Sequence, residues 1–216
     1  MISNGSLEDD LCQREIVEQL ENISRQVSNL KKKSIFFRKS SDINGAYIWG
    51  GVGCGKSMLM DLFVENISIP NRRVHFHAFM QEIHNSLHTA RSSGVKDPLA
   101  LVANEVIKNF KVLALDEMQI KDITDAMIVG RLFNLLFDGG VVIVTTSNRV
   151  PSDLYKNGLN RQLFVPFIDL INNRLNILNL KSKIDYRKSK LRGTRVYFSP
   201  LNADTKNKLH NLCRDL

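Results

Sequence analysis

Gly50-Gly51-Val52-Gly53-Cys54-Gly55-Lys56-Ser57 decides how this chain is read, because it fits the phosphate-binding loop, a glycine-rich run closed by Gly-Lys-Ser. It stands after an apolar stretch, Ala46 to Trp49, that reads as a strand, and before a helical pattern starting at Gly55. That flanking context outweighs the bland alternative of a ligand-free glycine turn. Glycines let backbone N–H groups converge on phosphate oxygens, and the start of a helix adds positive potential. Lys56 is placed to reach the β and γ phosphates and Ser57 to ligate Mg²⁺, with Gly50, Gly51, Val52, Gly53, Cys54 and Gly55 as the cradle.

Outward from the loop, two further strand patterns end in polar residues. Val112-Leu113-Ala114-Leu115-Asp116-Glu117 reads as a buried strand carrying two carboxylates to the ligand-binding edge of a sheet. Asp116 is the expected member of the Mg²⁺ shell, and Glu117, pointing elsewhere, is expected to take a proton from an attacking water. Val141-Val142-Ile143-Val144-Thr145-Thr146-Ser147-Asn148 repeats the design, with Asn148 in position to hydrogen-bond the γ-phosphate or the water. Its plain alternative is a turn residue ahead of Pro151.

Further strands are expected near Arg73 to Phe76 and Leu175 to Leu180, which makes five in all, separated by helical patterns. That alternation predicts an α/β fold of three layers, a five-stranded parallel sheet covered on both faces. Asp97-Pro98 is a helix start, a capping side chain followed by proline at the first helical position. Ahead of the sheet, Ile16, Leu20, Ile23, Val27 and Leu30 form one stripe of an amphipathic helix, expected to pack on the main domain. The divisions drawn are residues 1–41 for this helix and a basic linker, 42–180 for the core, and 181–216 for a basic tail.

The chain has 216 residues, 43% hydrophobic and 24% charged, a globular balance that excludes a disordered or collagen-like protein. Its net charge of +8 raises nucleic acid or a membrane surface as partners, yet residues 181–216 carry ten basic and three acidic residues, which leaves the rest nearly neutral. Ile35, Phe36 and Phe37 in the basic linker suggest a weak peripheral membrane contact, against a partly solvated linker. Cys12, Cys54 and Cys213 show neither disulfide nor zinc spacing, and no secretory signal or membrane-length apolar run is present, so a cytoplasmic location is expected. Among His75, His77, His84 and His88, the pair His84 and His88 share a helical face, but no acid or cysteine near them in sequence completes a metal site, and hydrogen-bonded histidines are expected. Cys54, close to Lys56 and a helix start, is expected to be a reactive thiol whose oxidation or alkylation blocks nucleotide binding.

The motif order resembles an AAA+ ATPase module, and the wording is narrower. Met58-Leu59-Met60-Asp61-Leu62-Phe63 after the loop, His75-Phe76-His77, Asp122-Ile123-Thr124-Asp125-Ala126-Met127, Thr146-Ser147-Asn148, Leu154 to Leu159 with Arg161, and Phe164-Val165-Pro166 resemble the ZapE or AFG-one-like ATPase family. The likeness runs from about Ile16 to Leu201, with Met118 where relatives usually have an aromatic residue. The resemblance implies Mg²⁺-dependent ATP hydrolysis coupled to remodelling of a protein client, a tubulin-like division protein or inner-membrane subunits. It also implies that Arg161 acts as an arginine finger from a neighbouring copy in a homo-oligomer. Family chains continue through a helical lid, so the tail is expected to be the start of a truncated lid. Two other functions compete: a nucleotide-binding interaction module with little turnover, and a nucleic-acid loader, ranked last because the core is neutral.

Overall fold

Strands whose side chains are apolar on both faces must be covered on both faces, and a parallel sheet between helical layers achieves this. The computed structural model describes residues 11–30 and 43–181. In it β1 (Gly45–Gly50), β2 (Asn71–His75), β3 (Val112–Asp116), β4 (Val142–Ser147) and β5 (Leu175–Leu180) pair in the order β2-β3-β4-β1-β5. Every pairing is parallel. The expected five-stranded parallel sheet is therefore present, each strand close to where its apolar run placed it. One boundary differs. Phe76 was expected inside β2 but opens the next helix, because His75 is the last extended residue and Phe76, Phe79, Met80 and Ile83 then form a buried stripe.

The helices are α1 (Leu11–Leu30), α2 (Lys56–Glu65), α3 (Phe76–Ser92), α4 (Pro98–Asn109), α5 (Ile123–Asp138) and α6 (Val165–Arg174). Alternation along the strands divides the core. Tyr47, Leu113, Leu115 and Ile143 join the core of α3 to α6, whereas Ala46, Ile48, Ala114 and Val144 join that of α1 and α2. The result is the expected three layers, with β1, β3 and β4 in the middle and almost wholly buried.

α1 buries Ile16, Leu20, Ile23 and Val27 against α2 and the sheet, as its stripe predicted. The side chain of Leu30, the linker from 31 and the tail from 182 lie outside the described residues, and with them the expected membrane contact and lid start. The start at Asp97 holds: its carboxylate accepts from Ala100 N–H at 3.1 Å, with Pro98 in the first turn. Among the described residues no helix is long and apolar enough to cross a membrane.

Because Ile23 is 1% exposed at the α1 seam, Ile23→Ala should lower stability by about 2–5 kcal/mol. The exposed Gln19→Ala on the same helix should change it by under about 0.5 kcal/mol. Urea denaturation of the two variants checks the pair.

Candidate active site

The sheet order places β4 between β1 and β3, so the segments that follow these strands are neighbours along one edge. At the end of β1 the chain passes through Gly53 (φ 81) and Gly55 (φ 94), both in the left-handed region that favours glycine. Gly55 then caps α2 without a side chain, which leaves the N–H groups of the first turn directed out of the helix. The Lys56 ammonium curls back over this loop, donating to the Gly50 carbonyl at 2.9 Å and the Gly51 carbonyl at 2.6 Å. A cation held over a ring of backbone groups is the arrangement that an anionic phosphate chain completes, so loop and lysine fit a nucleotide.

Cys54 is buried at 4% exposure and its thiol donates to the Gly51 carbonyl at 2.9 Å. The expectation of a reactive thiol does not hold for this placement, because reagents reach a buried, packed sulfur poorly. From α1, 41 residues earlier in the chain, the Gln13 amide donates to the Cys54 carbonyl at 3.2 Å. A side chain on Gly55 would strike that amide, with an added Cβ only 2.9 Å from Gln13 Nε2. The loop is thus braced from behind by α1, a contact that no local pattern announces.

Asp116 closes β3 at 5% exposure, and both carboxylate oxygens are engaged. Arg73 Nε on β2 donates to Oδ2 at 2.6 Å, and the Thr146 hydroxyl donates to Oδ1 at 3.3 Å. The same Thr146 oxygen accepts from Glu117 N–H at 3.0 Å. Glu117 has φ 56, a conformation that costs an L side chain roughly 1–2 kcal/mol. That turn sends Asp116 into the protein and leaves the Glu117 side chain exposed. One threonine hydroxyl therefore contacts the carboxylate of Asp116 and the backbone of Glu117. Ser57, exposed at the start of α2, and Asp116 supply hard oxygen donors of the kind Mg²⁺ takes, and the guanidinium of Arg73 reaches both residues.

Asn148 is exposed immediately after β4. The turn carrying it is fixed on its far side: Arg149 N–H donates to Ser147 Oγ at 3.2 Å, and the Tyr47 hydroxyl donates to the Arg149 carbonyl at 2.8 Å. Burial pushes the Tyr47 phenol well above its ordinary pKa, so it serves as a neutral donor. Met118 is buried, and its N–H donates to the Thr146 carbonyl at 2.7 Å.

Arg161 follows β4 and precedes α6 in the chain. It opens a short 3₁₀ turn, Arg161–Leu163, and donates through Nη2 to the Ser152 carbonyl at 2.5 Å. Its Nε is buried and has no hydrogen-bond partner among the described residues. Within one chain Arg161 does not line the cavity that contains Asp116 and Glu117.

That cavity, about 700 Å³, is lined by His75, His77 and His84 together with Glu117, Asp122 and Asp125, among others. His84 Nε2 is 2.7 Å from Asp125 Oδ1. The expectation of a hydrogen-bonded histidine holds for His84, whose partner Asp125 is brought by α5 across 41 positions of sequence. A backbone hydrogen bond from Thr124 holds the Asp122 carboxyl below the usual carboxylate range. Among the described residues no group of three or more His, Cys, Asp or Glu side chains is arranged to hold a metal ion.

Sequence reasoning missed Arg73, Thr146 and Gln13 as parts of the site. An arginine inside a strand and a threonine at the end of an aliphatic one were the available signals for the first two; Gln13 gave none. Thr146→Val keeps the shape of the side chain but leaves the Glu117 N–H without its acceptor. It should cost about 1–3 kcal/mol of stability, measured by urea denaturation.

Comparison with known proteins places this architecture. The AFG1-like ATPase family matches residues 2–216. The chain is 35% identical over 228 residues to the cell division protein ZapE of Escherichia coli K12, covering 98% of this chain and 60% of that protein. It is 38% identical over 228 residues to lactation elevated protein 1 homolog B of Danio rerio, covering 98% of this chain and 44% of that one. The chain thus spans about half the length of these curated relatives. Among solved structures, domain III of the Thermotoga maritima replication initiation protein DnaA superposes with a TM-score of 0.57 at 18% identity, covering 87% of this chain and 70% of that one. The likeness to DnaA extends to fold alone, a three-layer α/β architecture. By family match and sequence identity together, this chain belongs to the AFG1-like ATPases.

Proposed function

We propose that this chain binds ATP with Mg²⁺ at the edge formed by the ends of β1, β3 and β4, hydrolyses it, and uses the cycle to act on a protein partner. The observation that carries the reading is the shared Thr146 hydroxyl, which presents a buried Asp116 and an exposed Glu117 beside the glycine loop. Two adjacent carboxylates in contrasting environments take separate roles. The loop N–H groups and Lys56 hold the phosphates. Ser57 and Asp116 would hold Mg²⁺, which would supply charge neutralisation to the phosphate chain. Glu117 accepts the proton of the attacking water, and Asn148 orients that water or the γ-phosphate.

Arg161 supplies positive charge from a neighbouring copy, consistent with its absence from the lining of that cavity in its own chain and with an Nε that has no hydrogen-bond partner among the described residues. The partner is a protein, since one relative is named for cell division and family resemblance also points to inner-membrane subunits. The cytoplasmic side, with contact at a membrane periphery, is the expected setting.

Glu117→Gln should lower the steady-state ATPase rate about 10²–10⁴-fold while keeping nucleotide affinity, whereas Lys56→Ala should abolish binding. Equal rates in wild type and Glu117→Gln would overturn the hydrolytic reading. If Arg161 acts between copies, mixing Arg161→Ala with Glu117→Gln protein should restore part of the rate, measured by phosphate release at constant total protein.

A further inference from the structure

Arg73 is a charged residue within a strand, and its guanidinium touches the groups on either side of the proposed metal position. Nε donates to Asp116 Oδ2 at 2.6 Å, Nη2 donates to the Ser57 carbonyl at 3.4 Å, and Nη1 is ion-paired to Asp61. Asp61 lies one helical turn past Ser57 on α2. A guanidinium is a rigid planar fork, so engaging all three groups at once fixes the start of α2 against the end of β3. Thr146 holds the other oxygen of Asp116, and the carboxylate plane is thereby set from both sides.

We propose that Arg73 is a positioning residue that preorganises the Mg²⁺ site by holding the Asp116 carboxylate in a fixed orientation and at a fixed separation from Ser57. The inference rests on the ATPase reading above. A cation beside Asp116 also opposes a second cation, and the charge count decides which effect prevails. Asp61 balances the charge of Arg73, so the three groups together keep one net negative charge for the metal. Asp61 is 55% exposed at its side chain and Asp116 only 7%, so the balancing charge sits on the solvent side and the metal-directed one inside. Arg73 neither ligates metal nor transfers a proton; it acts through Asp116.

The test titrates Mg²⁺ against the full 216-residue chain with a fluorescent ADP analogue, and repeats the binding in excess chelator. Arg73→Ala should raise the Mg²⁺ concentration for half-saturation about tenfold or more, the range seen when supporting groups around metal ligands are removed. Affinity for the analogue in chelator should stay unchanged. Arg73→Lys should recover only part of the effect, because an ammonium offers no fork. Asp61→Asn, a substitution at an exposed position, should also raise half-saturation by leaving the guanidinium uncompensated. An unchanged or lowered half-saturation in Arg73→Ala overturns the proposal. If that variant fails to fold by circular dichroism, an unshifted Asp61→Asn overturns it instead. Wild type with no Mg²⁺-dependent nucleotide binding would sink the ATPase reading and this proposal together, whereas a normal wild-type response with an indifferent Arg73→Ala removes this one alone.

Discussion

β1, β3 and β4 are covered by helices on both faces, and the polar side chains they carry are confined to one end. Thr145, Thr146, Ser147 and Asp116 are all buried there, and each is bonded. Thr145 donates to the Leu115 carbonyl at 2.9 Å, Thr146 to Asp116, and Ser147 to the Met118 carbonyl at 2.8 Å. Leaving any one unpaired in this setting would cost on the order of 1–3 kcal/mol, so the ladder of hydroxyls locks the end of β3 to the end of β4. The adjacency of the glycine loop, Asn148 and the two acids follows from that lock and from the position of β4 between its neighbours.

Electrostatics at this edge are arranged by depth. Asp116 is desolvated and paired with Arg73; Glu117, one residue on, is turned outward by a left-handed backbone and keeps its solvent contact. The strain at Glu117 is offset by the hydrogen bond its N–H gives to Thr146. Lys56 rests on loop carbonyls, a placement that keeps the ammonium over the cradle. The phosphate loop itself leans on α1 through Gln13, so the helix contributes to the shape of the loop as well as covering the second core. Residues far from the glycine motif in sequence therefore take part in holding it.

Much of the fold was legible because its signals are local. Short apolar runs alternating with helical patterns marked five strands, the Asp97-Pro98 pair marked the start of α4, and the stripe from Ile16 marked α1. The misjudged positions were those where a distant partner overrides local chemistry. Phe76 left the strand because its ring belongs to the stripe of α3. Cys54 is shielded although its neighbours suggested reactivity. For His84 the hydrogen bond was expected, but its partner lies on a helix that sequence proximity gave no reason to consider.

By itself, then, the sequence determined the phosphate loop, the two acids after an apolar strand, and the three-layer α/β fold, since each depends on a spacing within a few residues or one period of a helix or strand. Only the tertiary structure decided that Arg73 joins Asp116 across 43 positions, that Thr146 contacts Asp116 and Glu117 across 30 and 29, and that Gln13 braces the loop. Those contacts depend on which strand lies beside which, in what register, and against which helix. Such relations are fixed by packing the whole chain, and no local periodicity carries them.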